Sequence, residues 1–281
     1  PYCKAAIDSA LYDVVGQALR VPAYQLLGGL FRERIPIAHS LGLMEIGKAV
    51  DEALQAKAEG VKTIKLKGGV EQKRDIELVK QIRRAIGPDL NICVDANQGY
   101  PTAKAAAKII KAMEEFNLLY MEQPVEGIDQ MAEVARRVDT PIMADESAWT
   151  AQDVLEIVQK KAADVISIYT TKPGGLFKGN KVASGAEAAG LKCNVNGSVE
   201  TGVGNAANIH LADSTGVVAY GCVVPVSTPK EQSKGGVAGI YYQDDIITEA
   251  FEYADGDVIV SAKPGLGIEL DENKIKHYRI D

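Results

Sequence analysis

Short runs rich in Ile, Leu, Val and Met recur along the chain at nearly even intervals, and a helix-like stretch follows most of them. The runs predict strands over 35–40, 63–67, 91–95, 118–122, 142–145, 165–169, 192–196 and 217–222. Apolar residues at helical spacing predict helices over 46–58, 71–86, 102–116 and 151–159. An opening helix over 5–19 is carried by Ala6, Ala10, Val14 and Leu19, with Pro22 just beyond its end. Gly60, Pro88 and Pro141 punctuate the joins.

The period is regular. Lys67 and Asp95 are 28 residues apart, Asp95 and Glu122 27, Glu122 and Asp145 23, Asp145 and Tyr169 24, and Tyr169 and Asn196 27. A strand, a crossover helix and two short loops need about that length, and right-handed crossovers then close a barrel. The expected fold class is therefore α/β, a (β/α) barrel of the TIM type over residues 35–226. A doubly wound open sheet is the rival, but eight units with polar residues on neighbouring strand ends favour the barrel. After Cys222 the pattern weakens. STPKEQSKGG reads as a loop, and alternation around 257–261 with a Pro264–Gly265 turn predicts a few strands outside the barrel. That tail, 227–281, is expected to pack on something other than the barrel's own helices.

Three strand ends carry an acid: Asp95 in NICVDANQG, Glu122 in LLYMEQP and Asp145 in PIMADES. The strand before them ends KTIKLKGG, with Lys65 and Lys67 two apart and so on one face. Barrel enzymes keep their chemistry at the C-terminal strand ends. Three carboxylates with no His or Cys beside them suit Mg2+, or Mn2+, better than zinc. Two lysines beside such an ion suit proton transfer next to a carboxylate, because a dication offsets the second negative charge that the proton leaves behind. The bland alternatives are solvated lysines on an edge strand and loop acids in water.

Bulk properties narrow the partners. A chain of 281 residues is long enough for one large α/β domain. The net charge of −7, with no block of like charge, argues against nucleic acid and anionic membranes, and no apolar run is long enough to span a bilayer. Cys3, Cys93, Cys193 and Cys222 form no C-x-x-C pair and read as buried small hydrophobes in a reducing, cytoplasmic setting.

The ordered set KAAIDSALYDVVG, LLGG, KLKGG, VDANQGY, MEQP, ADES, KPGG and PGLGIELD resembles the muconate-lactonising (muconate cycloisomerase) subgroup of the enolase superfamily, the mandelate racemase/muconate lactonising enzyme group. The resemblance covers nearly the whole chain. It implies a barrel that binds Mg2+ through Asp95, Glu122 and Asp145 and removes the proton α to a substrate carboxylate. Lys67 would be the acid/base residue and Lys65 its electrostatic modulator, lowering its pKa. The enolase superfamily's use of a Lys or His base with Mg2+ is a general precedent. Glu146, beside Asp145, is a supporting residue around the metal, since an adjacent residue on a strand points the other way. Asn97 would orient a ligand, with a loop-turn asparagine as the plain alternative.

The chain departs from the pattern in its sixth repeat. Where relatives carry I-x-I-K-x-x-K-x-G-G, this chain reads Ile166-Ser167-Ile168-Tyr169-Thr170-Thr171-Lys172-Pro173-Gly174-Gly175. The gapless match sets Tyr169 at the position of the second catalytic lysine and leaves Lys172 three residues on, as a substrate-binding candidate. Racemisation needs an acid/base group on each face of the substrate, whereas β-elimination and cycloisomerisation run from one. Glu200, in NGSVETG, matches a glutamate that lies in the family's site; the alternative of a phosphate-cradling loop lacks the P-loop lysine. His39, His210 and His277 show no pairing motif, so His–Asp racemase chemistry is disfavoured.

Residues 1–34 resemble the helical linker from an N-terminal α+β capping domain that itself is missing from this sequence. The C-terminal segment, 227–281, resembles the part that returns to that cap. The expectation is a Mg2+-dependent isomerase or lyase of the muconate cycloisomerase kind acting on a small carboxylate, as a homo-oligomer. The alternatives are an acid-sugar or hydroxy-acid dehydratase, an amino-acid or dipeptide epimerase, and a metal-binding homologue without catalysis.

Overall fold

The computed structural model describes residues 1–280. In chain order the elements begin α1 (Tyr2–Leu19), a 3-10 turn (Ala23–Leu27), β1 (Arg34–Pro36), β2 (Ala38–Leu41) and α2 (Ile46–Ala58). There follow β3 (Thr63–Lys67), α3 (Gln72–Ile86), β4 (Asn91–Asp95), α4 (Ala103–Met113), β5 (Tyr120–Glu122), α5 (Ile128–Ala135), β6 (Ile142–Ala144) and α6 (Ala151–Lys160). The remainder is β7 (Val165–Ile168), α7 (Leu176–Ala188), β8 (Lys192–Val195), α8 (Gly202–Asp213), β9 (Tyr253–Ala254), β10 (Asp257–Ile259) and α9 (Glu272–Tyr278).

β2 to β8 pair in sequence order as one parallel sheet. Helices cross between successive strands and cover the outer face of the curled sheet, while its inner face is filled by the strands' own side chains. The predicted eighth strand over 217–222 is instead a run of single bridges. Val218 meets Cys193, Val223 meets Asn196, and Cys222 meets Ile37. Cys222 N–H donates to Pro36 O and Ala38 N–H to Cys222 O, so this segment closes the ring between β8 and β2.

The first predicted strand is also broken. β1 leaves the barrel to pair antiparallel with β10, which pairs with β9. Pro36 has no N–H to give a ladder, and the chain changes sheets around Ile37, whose N–H donates to Gly256 O. The tail thus supplies the predicted extra strands, and it touches α1 and two of the barrel's helices. Gly202 N–H at the start of α8 donates to Asp245, Leu266 N–H to Asp13 on α1, and Val237 and Ala238 N–H to Glu59 at the end of α2.

Strand periodicity separates two cores. Ile64, Leu66, Ile92, Val94, Met121, Ile142 and Ile166 face the helices in the main cluster, while Cys93, Tyr120, Met143 and Val165 plug the barrel interior. Cys193 and Cys222 are buried and free like Cys93, but Cys3 on the first turn of α1 is exposed, a correction to its reading as a buried hydrophobe. In α1 the apolar residues that announce the helix lie outside. Val14 and Leu19 are 62% and 61% exposed, whereas Ala5, Ser9 and Gly16 are buried.

Candidate active site

Register puts the chemistry on one level. Lys67 on β3 pairs with Asp95 on β4, and Asp95 with Glu122 on β5, while Lys65 sits one layer below, paired with Cys93. All four share the inward parity of the interior plug, and so do Asp145, Ser167 and Tyr169 just beyond it. Asp95, Glu122 and Asp145 are 1%, 0% and 6% exposed.

The lysines meet these carboxylates directly. Lys65 Nζ lies 3.1 Å from Asp95 Oδ2 and 2.7 Å from Glu122 Oε2. Lys67 Nζ donates to Asp95 Oδ2 at 2.7 Å and to Asn97 Oδ1 at 2.8 Å. Asn97 Nδ2 donates in turn to Glu146 Oε1, and Asn97 N–H to Asp95 Oδ1. Asn97 has a left-handed backbone (φ 43°), which asparagine tolerates, and this turn lets one residue bind the metal-candidate acid, the base candidate and Glu146. Behind it, Gly69 of KLKGG has φ 82°, and a Cβ there would stand 2.1 Å from Ala96 O. Glycine is therefore what lets the loops after β3 and β4 touch.

Glu146 belongs to the site more directly than strand alternation allows. β6 ends at Ala144, so the rule of alternate faces has lapsed, and both Asp145 and Glu146 line the cavity. Tyr169 lines it too, and its hydroxyl donates to Asp145 Oδ2 at 3.3 Å. Lys172 is tucked beneath: its Nζ donates to Asp145 Oδ1 at 2.6 Å, Asp145 O at 2.9 Å and Ser167 O at 2.9 Å, and it lies 4.6 Å from the Tyr169 ring centre. Its three N–H groups are thus used inside the protein. Glu200 does not line the cavity. Its Oε2 lies under the Gly197 loop, where a Cβ on Gly197 would come within 2.5 Å of it.

Charge balance follows from this packing. Burial draws the Lys65 ammonium down, but Asp95 and Glu122 outweigh it and hold its pKa well above the ordinary value. Burial raises Asp95, yet Lys65 and Lys67 outweigh it and keep the carboxyl below its usual range. Glu122 is pushed up to about 8, first by burial and then by the Asp95 charge. Burial and the adjacent Asp145 charge raise Tyr169 well above 10, so its phenol stays protonated.

Among the described residues no three carboxylates stand arranged as a ready metal cage, because lysines occupy their inward oxygens. The donor set nevertheless fits a hard dication. It is all oxygen and it is buried, the chemistry that a hard dication prefers, with the Lys65 ammonium now at 2.7 Å from Glu122 Oε2.

The histidines lie outside this cavity. His39, for which no partner was expected, contacts Glu52 Oε1 through Nε2 at 2.9 Å and accepts from Gly239 N–H through Nδ1. His210 is buried in α8 as expected, with Nδ1 3.7 Å from Asp213 Oδ2. Residues that sequence reasoning missed are Trp149, Val199, Val223 and Tyr241 on the cavity wall. Tyr241 comes from the tail, and nothing in its local sequence marks it as part of a barrel mouth.

Comparison with known proteins agrees with the fold. Residues 48–274 match the model of the enolase C-terminal domain-like family. The chain is 33% identical to muconate cycloisomerase 1 of Rhodococcus opacus, over 99% of this chain and 72% of that protein. It is 31% identical to the N-succinyl-L-Arg/Lys racemase of Bacillus cereus, over 100% of this chain and 72% of the relative. The crystal structure of a dipeptide epimerase from Enterococcus faecalis V583, complexed with Mg and the dipeptide L-Leu-L-Tyr, superposes with a TM-score of 0.83 at 33% identity, covering 95% of this chain and 72% of that one. The chain therefore belongs to the enolase C-terminal domain-like family, within the enolase superfamily that includes muconate cycloisomerases and related racemases and epimerases.

Proposed function

We propose that this chain removes the proton α to a carboxylate from one face of a small substrate, as a muconate cycloisomerase-like isomerase or lyase. Asp95, Glu122 and Asp145 would hold Mg2+, with Mn2+ the other cation this donor set accepts. The Mg complex of the E. faecalis relative supports this assignment. Bound there, the ion would supply positive charge beside the substrate carboxylate. The chain's own residues do the rest. Lys67 Nζ, partly exposed and facing the cavity, takes the proton. Lys65, buried between Asp95 and Glu122, keeps a second positive charge beside it. Asn97 and Glu146 fix the direction of Lys67. Glu200 braces the Gly197 loop rather than meeting substrate.

The observation that carries the one-face reading is Tyr169. It occupies the position of the opposing base, and a phenol whose pKa is raised by burial and Asp145 is a hydrogen-bond donor, not a base. Epimerisation is the second reading, favoured by the racemase and epimerase relatives. Incubation with Mg2+ and a panel of chiral α-substituted carboxylates in deuterated water separates the two. Deuterium entering one enantiomer supports the one-face enzyme, deuterium with inversion supports the epimerase, and no exchange with any carboxylate would leave a metal-binding homologue without catalysis.

A further inference from the structure

We infer that Asn196 is a positioning residue of this site: it holds one oxygen of the Glu122 carboxylate, so that the acid presents only the other, and it thereby favours Mg2+ over Ca2+. This rests on the proposed function in taking Glu122 as a metal ligand. Asn194 on β8 and Asn196 just past its end share the inward parity of the barrel interior, where branched apolar residues are the rule. Both are fully buried, and asparagine is a poor strand former, so neither the packing nor the local backbone calls for them. A buried amide is costly unless its polar atoms are used.

The main chain settles which way the Asn196 amide points. Val223 N–H donates to Asn196 Oδ1 at 3.2 Å, in the seam where the chain closes the ring beside β8. Asn194 Nδ2 donates to the same oxygen at 2.9 Å. Asn196 Nδ2 is therefore the atom turned to the site, and it donates to Ser167 Oγ at 2.9 Å and to Glu122 Oε1 at 3.4 Å. Glu122 Oε2 meets Lys65 Nζ instead, at 2.7 Å. The other two acids are held alike. Asp95 Oδ1 accepts from Asn97 N–H at 2.9 Å, and Asp145 Oδ1 from Lys172 at 2.6 Å. Glutamate has one more side-chain torsion than aspartate, and its last torsion has only a broad preference, so Glu122 is the acid whose rotation most needs a restraint. A carboxylate free to rotate can turn both oxygens to one ion, which suits the larger and more flexible oxygen shell of Ca2+. Mg2+ keeps a tight octahedron and is better served by single oxygens.

The test compares Mg2+ and Ca2+ by calorimetric titration of the metal-free protein. Asn196→Val is close to the parent residue in size and removes the donor. Its Mg2+ affinity is expected to fall about tenfold, a difference of about 1.4 kcal/mol, while its Ca2+ affinity holds or rises, so the preference for Mg2+ falls at least that far. Asn194→Leu controls for a merely structural role, because the Asn194 amide donates to Asn196, Tyr120 and Gly221 and not to Glu122. That variant should lose stability in urea and keep the parent's preference between the two cations. If Asn196→Val does not fold, Asn196→Ala removes the same donor and is read in the same way. An unchanged preference in the Asn196 variant, or an equal fall in Asn194→Leu, overturns the inference and leaves the proposed metal site standing. A parent protein that binds neither cation overturns the proposed metal site, and the role of Asn196 with it.

Discussion

Lys172 holds Asp145 twice, through the carboxylate at 2.6 Å and through the main-chain carbonyl at 2.9 Å. That pairing commits the Lys172 ammonium, three residues past Tyr169, to the acid beside it. Its ammonium has no free N–H to offer, because Ser167 O takes the third. It also joins the loop after β7 to the end of β6, so the acid that faces the cavity is fixed by a cation beneath it.

Replacing Lys172 with Met should therefore act on stability first. It leaves Asp145 buried with one neutral donor, Tyr169, and loss of one partner of a buried pair costs about 3 kcal/mol. Urea denaturation without metal should show that loss. Saturating Mg2+ should recover much of it, since a dication then faces the same carboxylate. Equal loss with and without Mg2+ would count against Asp145 as a ligand.

Lys67→Ala should behave in the opposite way. Lys67 is partly exposed, and Asp95 keeps Lys65 as a partner, so the fold and the Mg2+ affinity should change little. The α-proton exchange should fall to the solvent background, because the other two lysines on the cavity wall, Lys65 and Lys172, are buried in ion pairs. Calorimetric metal titration and exchange NMR on the same sample check both halves. Retained exchange would falsify the role of Lys67.

The parts legible in the sequence are those governed by period two and by even strand spacing. Lys65, Lys67, Asp95 and Glu122 converge because inward parity and parallel register leave them no other arrangement. What was not legible depended on partners far along the chain or on irregular backbone. β1 was merged with β2 because its true partner, Asp257–Ile259, lies more than two hundred residues away. The hold of Lys172 on Asp145 is not legible because a turn that folds back under that acid has no periodicity to reveal it. The motif around Glu200 is legible, but the seating of its carboxylate against Gly197 follows from no period in the sequence. The wall formed by Trp149 and Tyr241 combines a β6 loop with the tail, and neither segment alone announces a cavity.

Stability should fall with rising pH through Asp213. This carboxyl is buried at the end of α8, neither side-chain oxygen has a hydrogen-bond partner, and burial raises its pKa from 3.8 to about 9 although Arg32 opposes the shift. Between those two values the folded state holds a proton that the unfolded chain releases, so the contribution present near pH 4 is lost progressively until about pH 9. Asp213→Asn removes the titration. The variant should match the parent in urea near pH 4 and exceed it at pH 8, and parallel curves across that range would exclude Asp213 as the source.

Tyr169 sets the stereochemical prediction. Tyr169→Phe removes one hydrogen bond to Asp145, worth about 1 kcal/mol, and leaves Lys172 in place beneath the ring. Exchange by Lys67 on its own face should therefore survive in that variant with modest loss. The unmodified protein should exchange one substrate enantiomer much faster than its mirror image, because the opposite face meets a protonated phenol. Tyr169→Lys puts an ammonium at that position, and Asp145 already pairs with Lys172 there, so the new amine would compete for the same carboxylate. Where it remains free it should add slow exchange of the second enantiomer, read as a rise in racemisation over the parent's background by polarimetry. If the unmodified protein already exchanges both enantiomers at equal rates, the one-base assignment fails.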